Sequence, residues 1–215
     1  MPVAFLLLFL ILLIWSCEPW NETSEVSHVS SLPGFEIIGD AFESYIVGEA
    51  DEYNDKGALA FEGKYPLEVY TVGEADLSEA GVYTIAYYAQ NSDGLWSTAE
   101  RIVAVAYTDI SNNNLAGRYE GRNFDIKFEM VVTKIHEKGL YGSNDIMGFE
   151  GAEMQGQFVD LGNHELVLIH GEGDFGAFAD ADGEYTLSSL KWTVKLIDAP
   201  YNGLELPIYW SRAIN

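Results

Sequence analysis

Four acidic side chains in the segment DFGAFADADGEY form a dense group of potential metal ligands: Asp174, Asp180, Asp182 and Glu184. Carboxylate oxygens at this spacing could converge on a hard cation such as calcium. The full ligand spacing of a calcium-binding hand is absent, however, and Asp182-Gly183 is also an efficient hairpin turn. The turn is the preferred interpretation. We therefore predict no metal and no other cofactor, with the calcium site as the alternative.

Residues that could perform catalysis do not form a recognisable set. The four histidines, at positions 28, 136, 164 and 170, are not paired at a metal-binding spacing, and the last two lie at opposite ends of one predicted strand. The sequence has neither a Gly-rich phosphate loop nor a nucleophile elbow. Carboxylates are too numerous for a glycosidase pair to be singled out. We predict a non-catalytic protein, with a glycan hydrolase as the less favoured alternative.

Aromatic side chains are the remaining candidates for ligand binding, because sugar rings present apolar faces that stack on Trp and Tyr. Trp192 alternates with apolar neighbours, so we expect it in a core. Trp96, Tyr201 and Trp210 lie near predicted turns or in the last predicted strand. These three are our candidate ligand contacts, although packing in a core is the favoured interpretation for each.

The chain is strongly acidic, with 34 Asp and Glu residues against 11 Lys and Arg residues and a formal net charge of −23. Such a surface repels phosphate backbones and anionic lipid headgroups. Nucleic acid and direct contact with a membrane surface are therefore disfavoured as partners. A neutral oligosaccharide or an envelope protein remains as the predicted partner.

Cys17 is the only cysteine, and it follows an unbroken apolar run at residues 3–15. The run is shorter than the roughly 20 residues that a helix needs to cross a bilayer, and it fits the apolar core of an export signal. Ile14-Trp15-Ser16-Cys17 resembles the lipobox of bacterial lipoproteins. The resemblance implies that residues 1–16 are a cleaved signal peptide and that Cys17 carries diacylglyceryl and palmitate chains. The alternative is a free thiol in an ordinary N-terminal helix.

Residues 17–33 are polar, Ser-rich and aperiodic, which indicates a flexible tether between the lipid and the first domain. Pro33-Gly34 ends this segment. Three glutamates follow the cysteine closely, at positions 18, 22 and 25, and they favour export to the outer surface. We expect a protein that is held in the outer membrane by its lipid alone and exposed on the cell surface.

Residues 80–105 alternate with a period of two and contain many β-forming side chains. Asn91 to Gly94 supplies turn residues, so the segment predicts a β-hairpin whose tip carries Leu95-Trp96. Gly81 and Tyr83 resemble the tyrosine corner of an immunoglobulin-type sandwich, and Ile85 stands where an antibody domain carries its disulfide cysteine.

A longer set of residues resembles the bacterial immunoglobulin-like repeats of cell-surface proteins. The set comprises Tyr53, Asp55, Gly57-Ala58, Ala60, Gly81-x-Tyr83-Thr84-Ile85-x-Tyr87, Ala89, Asp93-Gly94, Ser97 and Arg101-x-Val103-x-Val105. The resemblance covers about residues 34 to 107 and implies a sandwich of about seven strands. We therefore predict an immunoglobulin-like domain at residues 34–108.

A polar break from Thr108 to Asn114 indicates a domain boundary, and the sequence beyond it predicts a second β-domain at residues 113–215. Strict alternation in NFDIKFEMVVTKI and again around Trp192 predicts long amphipathic strands. We expect an antiparallel meander that forms a barrel or a sandwich. The order from Leu115-x-Gly117-x-Tyr119 to Tyr209-Trp210-x-Arg212 resembles the C-terminal β-domains of surface lipoproteins that accompany glycan uptake.

The sequence thus predicts an all-β surface lipoprotein that is not an enzyme and that binds an extracellular ligand, with a neutral glycan as the first choice. The main alternative is a structural or protein-binding subunit of an envelope complex. The glycan assignment derives from the resemblance rather than from a catalytic or binding motif.

Overall fold

The computed structural model describes residues 30–123, 126–148, 152–174, 176–198, 200 and 202–213, with no description of the side chains at 122, 123, 126 and 179–181. Within these ranges the regular structure consists of β-strands, so the predicted all-β class is confirmed. The strands are β1 Gly34–Ile37, β2 Phe42–Ile46, β3 Ala58–Glu62, β4 Tyr65–Leu67, β5 Tyr70–Val72, β6 Gly81–Gln90, β7 Trp96–Ala106, β8 Gly117–Asn123, β9 Ile126–His136, β10 Leu140–Ser143, β11 Met154–Gly162, β12 Glu165–Gly173, β13 Gly176–Tyr185, β14 Ser189–Leu196 and β15 Glu205–Arg212.

The first seven strands form two sheets, in the orders β1-β3-β4 and β2-β7-β6-β5. Strand β2 runs parallel to β7, and the other pairs are antiparallel. Alternate residues of β6 and β7 face the opposite sheet, where Ile85, Tyr87, Val103 and Val105 form the core with Leu77. The predicted tyrosine corner is confirmed, because the Tyr83 hydroxyl donates to the Glu79 carbonyl at 3.0 Å.

The last eight strands form a closed antiparallel barrel in which β15 pairs with β8. Of the two architectures left open by the sequence, the barrel is the one formed. Its interior is apolar and rich in aromatic rings, with Tyr119, Tyr141, Phe158, Trp192 and Trp210 all buried. The predicted core position of Trp192 is confirmed.

The expectation that Asp182-Gly183 forms a hairpin turn is wrong. Both residues lie inside β13, where Gly183 pairs with Leu166 on one side and with Trp192 on the other. A Cβ atom at Gly183 would lie 2.5 Å from the Trp192 ring. This glycine therefore permits close packing of a large ring on the strand, a role that requires no positive φ.

A loop after β10 turns into one end of the barrel. Ile146 and Met147 are buried in the barrel core, and the Asp145 carboxylate accepts hydrogen bonds from the backbone N–H groups of Met147 and Gly148 at 3.0 and 2.9 Å. Burial raises the pKa of Asp145 despite these hydrogen bonds. The loop thus extends the barrel core with apolar side chains that no strand provides.

The sandwich and the barrel share an apolar interface. Phe42 and Ala104 on the outer face of the β2-β7-β6-β5 sheet pack in one buried cluster with Leu140, Val159 and Leu161 of the barrel exterior. The Tyr107 N–H donates to the Leu161 carbonyl at 2.7 Å beside this cluster. The two units are therefore in direct contact, each through the outer face of a sheet.

The polar segment between the two units is also packed against the barrel. Ile110 is buried, and the Asn113 side-chain amide donates to the Asp160 carboxylate and to the Tyr185 hydroxyl, both at 2.9 Å. Burial raises the pKa of Tyr185 to about 12, and the charge of Asp160 adds to the shift. The segment that sequence composition identifies as a break is an ordered connection.

Candidate binding surfaces

The outer face of the β2-β7-β6-β5 sheet carries a group of apolar and aromatic side chains, called here the aromatic face: the exposed Tyr70, Val72 and Trp96 and the half-buried Tyr88. Trp96 is 52% exposed and Tyr70 is 48% exposed, and their ring centroids lie 6.0 Å apart with an interplanar angle of 53°. Exposed aromatic rings grouped in this way are a common feature of binding surfaces.

Strand register explains why these residues share one face. Tyr70 of β5 lies opposite Tyr88 of β6, and Trp96 of β7 lies opposite Gln90. Tyr88 and Gln90 are two residues apart in β6, so their side chains project to the same side of the sheet. The predicted position of Trp96 near a hairpin tip is confirmed, and its exposure corrects the favoured interpretation that it packs in a core. Tyr70 is a neighbour that the sequence pattern does not reveal.

The hairpin that presents Trp96 is held by several hydrogen bonds. The Asn91 side-chain oxygen accepts from the N–H groups of Asp93 and Leu95 at 3.1 and 2.8 Å, and its amide donates to the Ser31 carbonyl at 2.8 Å. The backbone N–H and the hydroxyl group of Ser92 both donate to the carboxylate of Glu62, which lies in the other sheet. Fixed geometry of this kind lowers the entropic cost of binding a ligand.

Trp210 does not offer a surface to a ligand, which corrects the expectation that it contacts one. It is 1% exposed, and its indole N–H donates to the Ile146 carbonyl at 2.9 Å. Cβ atoms at Gly121 and Gly148 would each lie 3.0 Å from its ring, so the ring packs directly against the backbone at these two glycines. Tyr201 and Cys17, the other predicted site residues, lie outside the described residues.

The acidic segment at residues 174–184 is distributed along β13 and around its ends. The Asp174 carboxylate accepts from the Glu153 N–H at 3.0 Å, and Glu184 forms an ion pair of 3.3 Å with Lys191. Asp182 is exposed within β13, and the Asp180 side chain is not among those described. Across the described residues, no group of three or more His, Cys, Asp or Glu side chains could hold a metal ion.

The most concentrated buried charge lies in the sandwich core, around Arg101. This fully buried guanidinium lies 3.0 Å from the Asp55 carboxylate and donates to the Ile38 carbonyl at 2.7 Å. Tyr87 donates to the same Asp55 carboxylate at 2.7 Å, and burial together with this bond raises the pKa of Tyr87. The cluster joins the two sheets and its guanidinium is fully buried, so we assign it a structural role.

A comparison with protein-family models matches residues 36–105 to an Ig-like domain of bacterial surface proteins. The match covers the predicted immunoglobulin-like domain, so this part of the chain has the pattern of a bacterial surface module. No curated protein matches the chain. Among the described residues, no helix is long and apolar enough to cross a bilayer.

Two solved structures resemble the chain at low similarity. A lipoprotein from Bacteroides thetaiotaomicron is 20% identical with a TM-score of 0.38, and the alignment covers 84% of this chain and 100% of that one. A structure from Clostridium perfringens ZmpB, with a carbohydrate-binding module in complex with GlcNAc and INT domains, is 13% identical with a TM-score of 0.29. That alignment covers 84% of this chain and 48% of the other.

Proposed function

We propose that this protein is a non-catalytic lipoprotein of the bacterial cell surface that binds a neutral glycan through the aromatic face. The observation that carries the glycan assignment is the exposed pair of Trp96 and Tyr70 on an outer sheet face. Sugar rings present C–H groups that pack on such rings, and their hydroxyl groups can bond to neighbouring polar side chains. Gln90 and Thr98 border the two rings and supply amide and hydroxyl groups.

Charge supports a neutral rather than an anionic ligand. The chain has a net charge of −23, and Glu68 and Glu100 lie close to the aromatic face, where Glu68 accepts a hydrogen bond from the Tyr70 hydroxyl at 2.8 Å. Acidic polysaccharides would be repelled by these carboxylates. Binding that depends on stacking and hydrogen bonds changes little with salt, whereas a cationic partner is released as salt rises.

The glycan proposal is tested with an array of neutral and charged oligosaccharides, followed by calorimetry at low and high salt. We expect dissociation constants in the micromolar to millimolar range for a shallow site. Trp96→Ala should weaken binding about tenfold and Tyr70→Ala about threefold, because each removes one stacking surface. The matched control is Tyr209→Ala, since Tyr209 is 63% exposed but lies on the barrel.

Two results would overturn the glycan assignment. One is the absence of binding to any neutral oligosaccharide on the array. The other is an unchanged affinity in both the Trp96→Ala and the Tyr70→Ala variants when circular dichroism shows that their fold is intact. Strong weakening of binding by salt would instead indicate a cationic protein partner and would favour the envelope-subunit alternative.

The lipid anchor is a separate part of the proposal and rests on the Ile14-Trp15-Ser16-Cys17 junction, together with the surface-protein pattern of residues 36–105. Intact-mass analysis of protein extracted from membranes should show a mature chain that begins at Cys17 and carries acyl chains. Cys17→Ala should abolish lipid incorporation and release the protein from the membrane fraction. A mature chain that begins elsewhere or lacks acyl mass would contradict the anchor.

A further inference from the structure

The exterior of the barrel contains a concave surface that is separate from the aromatic face. It encloses about 520 Å³ across β9, β10, β11 and β12 and is called here the trough. Its lining includes Val131, Ile135, Gly142, Gln155, Gln157 and His170. A volume of this size is within the range of sites for small ligands.

A glycine occupies the centre of the cross-strand row that lines the trough. Gly142 of β10 lies opposite Thr133 of β9 on one side and Gln157 of β11 on the other, and Gln157 lies opposite His170 of β12. Gly142 contributes no side chain to this row, and the end of the Ile135 side chain lies over its backbone, 2.9 Å from where a Cβ atom would be. The backbone at Gly142 does not have a positive φ, so its conformation does not require glycine.

The two walls of the trough differ in chemistry. Val131 and Ile135 of β9 form an apolar wall and are 38% and 51% exposed. Gln155 and Gln157 of β11 form the opposite wall, and neither side-chain amide has a hydrogen-bond partner among the described residues. Each amide therefore offers one acceptor and two donor hydrogens to a ligand.

The charges in the trough disfavour an anion. No Lys or Arg side chain contributes to the described lining, and Glu172 supplies a carboxylate at one end, with its oxygen 3.9 Å from His170 Nε2. A ligand that suits this surface is uncharged, has one apolar face for the β9 wall and has several hydroxyl groups for the β11 wall. Among small biological molecules, a pyranose ring combines these properties.

The trough lies close to the interface between the barrel and the sandwich. Gln157 lies two residues before Val159, which belongs to the apolar interface with the sandwich. The two side chains project from the same face of β11. The polar wall of the trough therefore lies next to the packed interface, with a register shift between Gln157 and Phe158.

We propose that the trough is a second ligand site, which takes a neutral sugar ring between the aliphatic wall of β9 and the amide wall of β11. This proposal shares with the proposed function only the class of ligand. The residues are on a different domain, and aliphatic side chains replace aromatic rings as the apolar surface. Either site can fail while the other stands.

The test uses residues 18–215 and records the side-chain amide resonances of Gln155 and Gln157 by NMR. The probes are glucose, galactose, mannose, xylose and N-acetylglucosamine, each titrated to about 50 mM because single rings bind weakly. We expect at least one sugar to shift both amide pairs in a saturable manner. Trp96→Ala should leave these shifts unchanged, which separates the trough from the aromatic face.

Two variants identify the site. Gly142→Val adds a side chain at the centre of the row, and its nearest contact, the flexible Ile135 Cδ1 atom 2.9 Å from the new Cβ, can move aside. Gln157→Ala removes one amide. We expect Gly142→Val to abolish the sugar-induced shifts of the Gln155 amide. We expect Gln157→Ala to raise the dissociation constant about five- to tenfold. Thr193→Ala, on the exposed side of β14, is the control and should have no effect.

The proposal is overturned if none of the five sugars shifts the two amides, or if the shifts persist in folded Gly142→Val protein. Melting temperatures of the variants verify that the fold is kept. The aromatic face would be supported and the trough rejected if the Trp96→Ala variant lost binding to the array and the Gln155 and Gln157 amides never shifted with any sugar. Amide shifts without any array binding would support the trough and reject the proposed function.

Discussion

The cores of the sandwich and the barrel are built on different principles. In the sandwich, the buried guanidinium of Arg101 lies among oxygen atoms of both sheets, including the Asp55 carboxylate at 3.0 Å and the Ile38 carbonyl at 2.7 Å. In the barrel, the centre is apolar, and the rings of Trp192 and Trp210 lie against glycine backbone. The sandwich therefore adds directional polar bonds to its apolar core, whereas the barrel relies on close packing.

The difference follows from what each architecture must achieve. The sandwich has two small open sheets with free edges, so a central charge with fixed partners sets how the sheets lie on each other. Arg101 lies directly opposite Ile85, the position at which an antibody domain carries a disulfide cysteine. The closed barrel has its strands paired around the ring, and close packing of its interior is the remaining requirement.

Removing the central charge of the sandwich should have the largest effect. We expect Arg101→Ala to lower the free energy of unfolding by about 3 to 5 kcal/mol, because it leaves the Asp55 and Glu43 carboxylates without their buried partner. Chemical denaturation monitored by circular dichroism measures this loss. Arg101→Lys keeps the charge but loses part of the hydrogen bonding, so its loss should be smaller. Equal losses in the two variants would show that the charge itself contributes little.

The interface between the two units should contribute the next largest effect. Leu161→Ala removes a buried side chain from the shared cluster and should cost about 2 to 3 kcal/mol. Leu187→Ala is the control, since Leu187 is 93% exposed and should change stability by less than about 0.5 kcal/mol. Calorimetry measures both. A Leu161→Ala loss no larger than that of the control would show that the contact is not energetically significant.

The same interface bears on whether each unit folds alone. We predict that fragments 34–108 and 113–215 both fold, because each has its own core. Separation exposes apolar residues such as Phe42 and Leu161, so each fragment should melt at a lower temperature than the same unit in the intact chain. Thermal melts by circular dichroism test this. A fragment that folds only after it is mixed with the other would show that the boundary is wrong.

Close packing in the barrel predicts a moderate effect at Gly183. Its substitution by alanine would place a Cβ atom 2.5 Å from the Trp192 ring, so we expect a loss of about 1 to 3 kcal/mol. Gly34→Ala in the sandwich is a matched control, because its nearest contact would be an ordinary 3.9 Å. Urea denaturation of the two variants measures the difference. Similar stabilities would show that the barrel core can adjust to added volume.

The smallest expected effect is a gain. Asp145→Asn keeps an oxygen that accepts from Met147 and Gly148 but removes a buried charge, so we expect stabilisation of a few tenths to about 1 kcal/mol at pH 7. Burial raises the folded-state pKa of Asp145, so wild-type stability falls as pH rises from the unfolded-state pKa through the folded-state value. The gain should therefore vanish at pH 3, and denaturation at both pH values measures it. A gain of equal size at pH 3 would refute the electrostatic cause.

Local signals in the sequence predict several features correctly. The alternation around Tyr83 and Ile85 predicts the hairpin, the Gly81–Tyr83 spacing predicts the corner hydrogen bond, and the neighbours of Trp192 predict its burial. Each of these depends on residues close in the chain. The alternation of apolar and polar residues, together with the residue types found in turns, is sufficient to predict such features.

Features that depend on distant residues are not predictable in this way. Gly183 resembles a turn residue because its role depends on Trp192 in the next strand, and Trp210 resembles a surface residue because its partner, the Ile146 carbonyl, lies 64 positions away. Asn113 belongs to a polar run whose composition indicates a linker, yet Asp160 and Tyr185 bind its side chain. The trough similarly arises from the pairing of three strands around Gly142.

The ordered connection between the sandwich and the barrel has a consequence for proteolysis. A protease needs several residues of extended, accessible backbone, and Ile110 is buried while the Asn113 N–H donates to the Ile110 carbonyl at 2.9 Å. Cleavage between residues 108 and 115 therefore requires the segment to detach from the barrel first. The rate of nicking there reports how often the connection opens, and an intact connection protects a stretch that composition alone would mark as vulnerable.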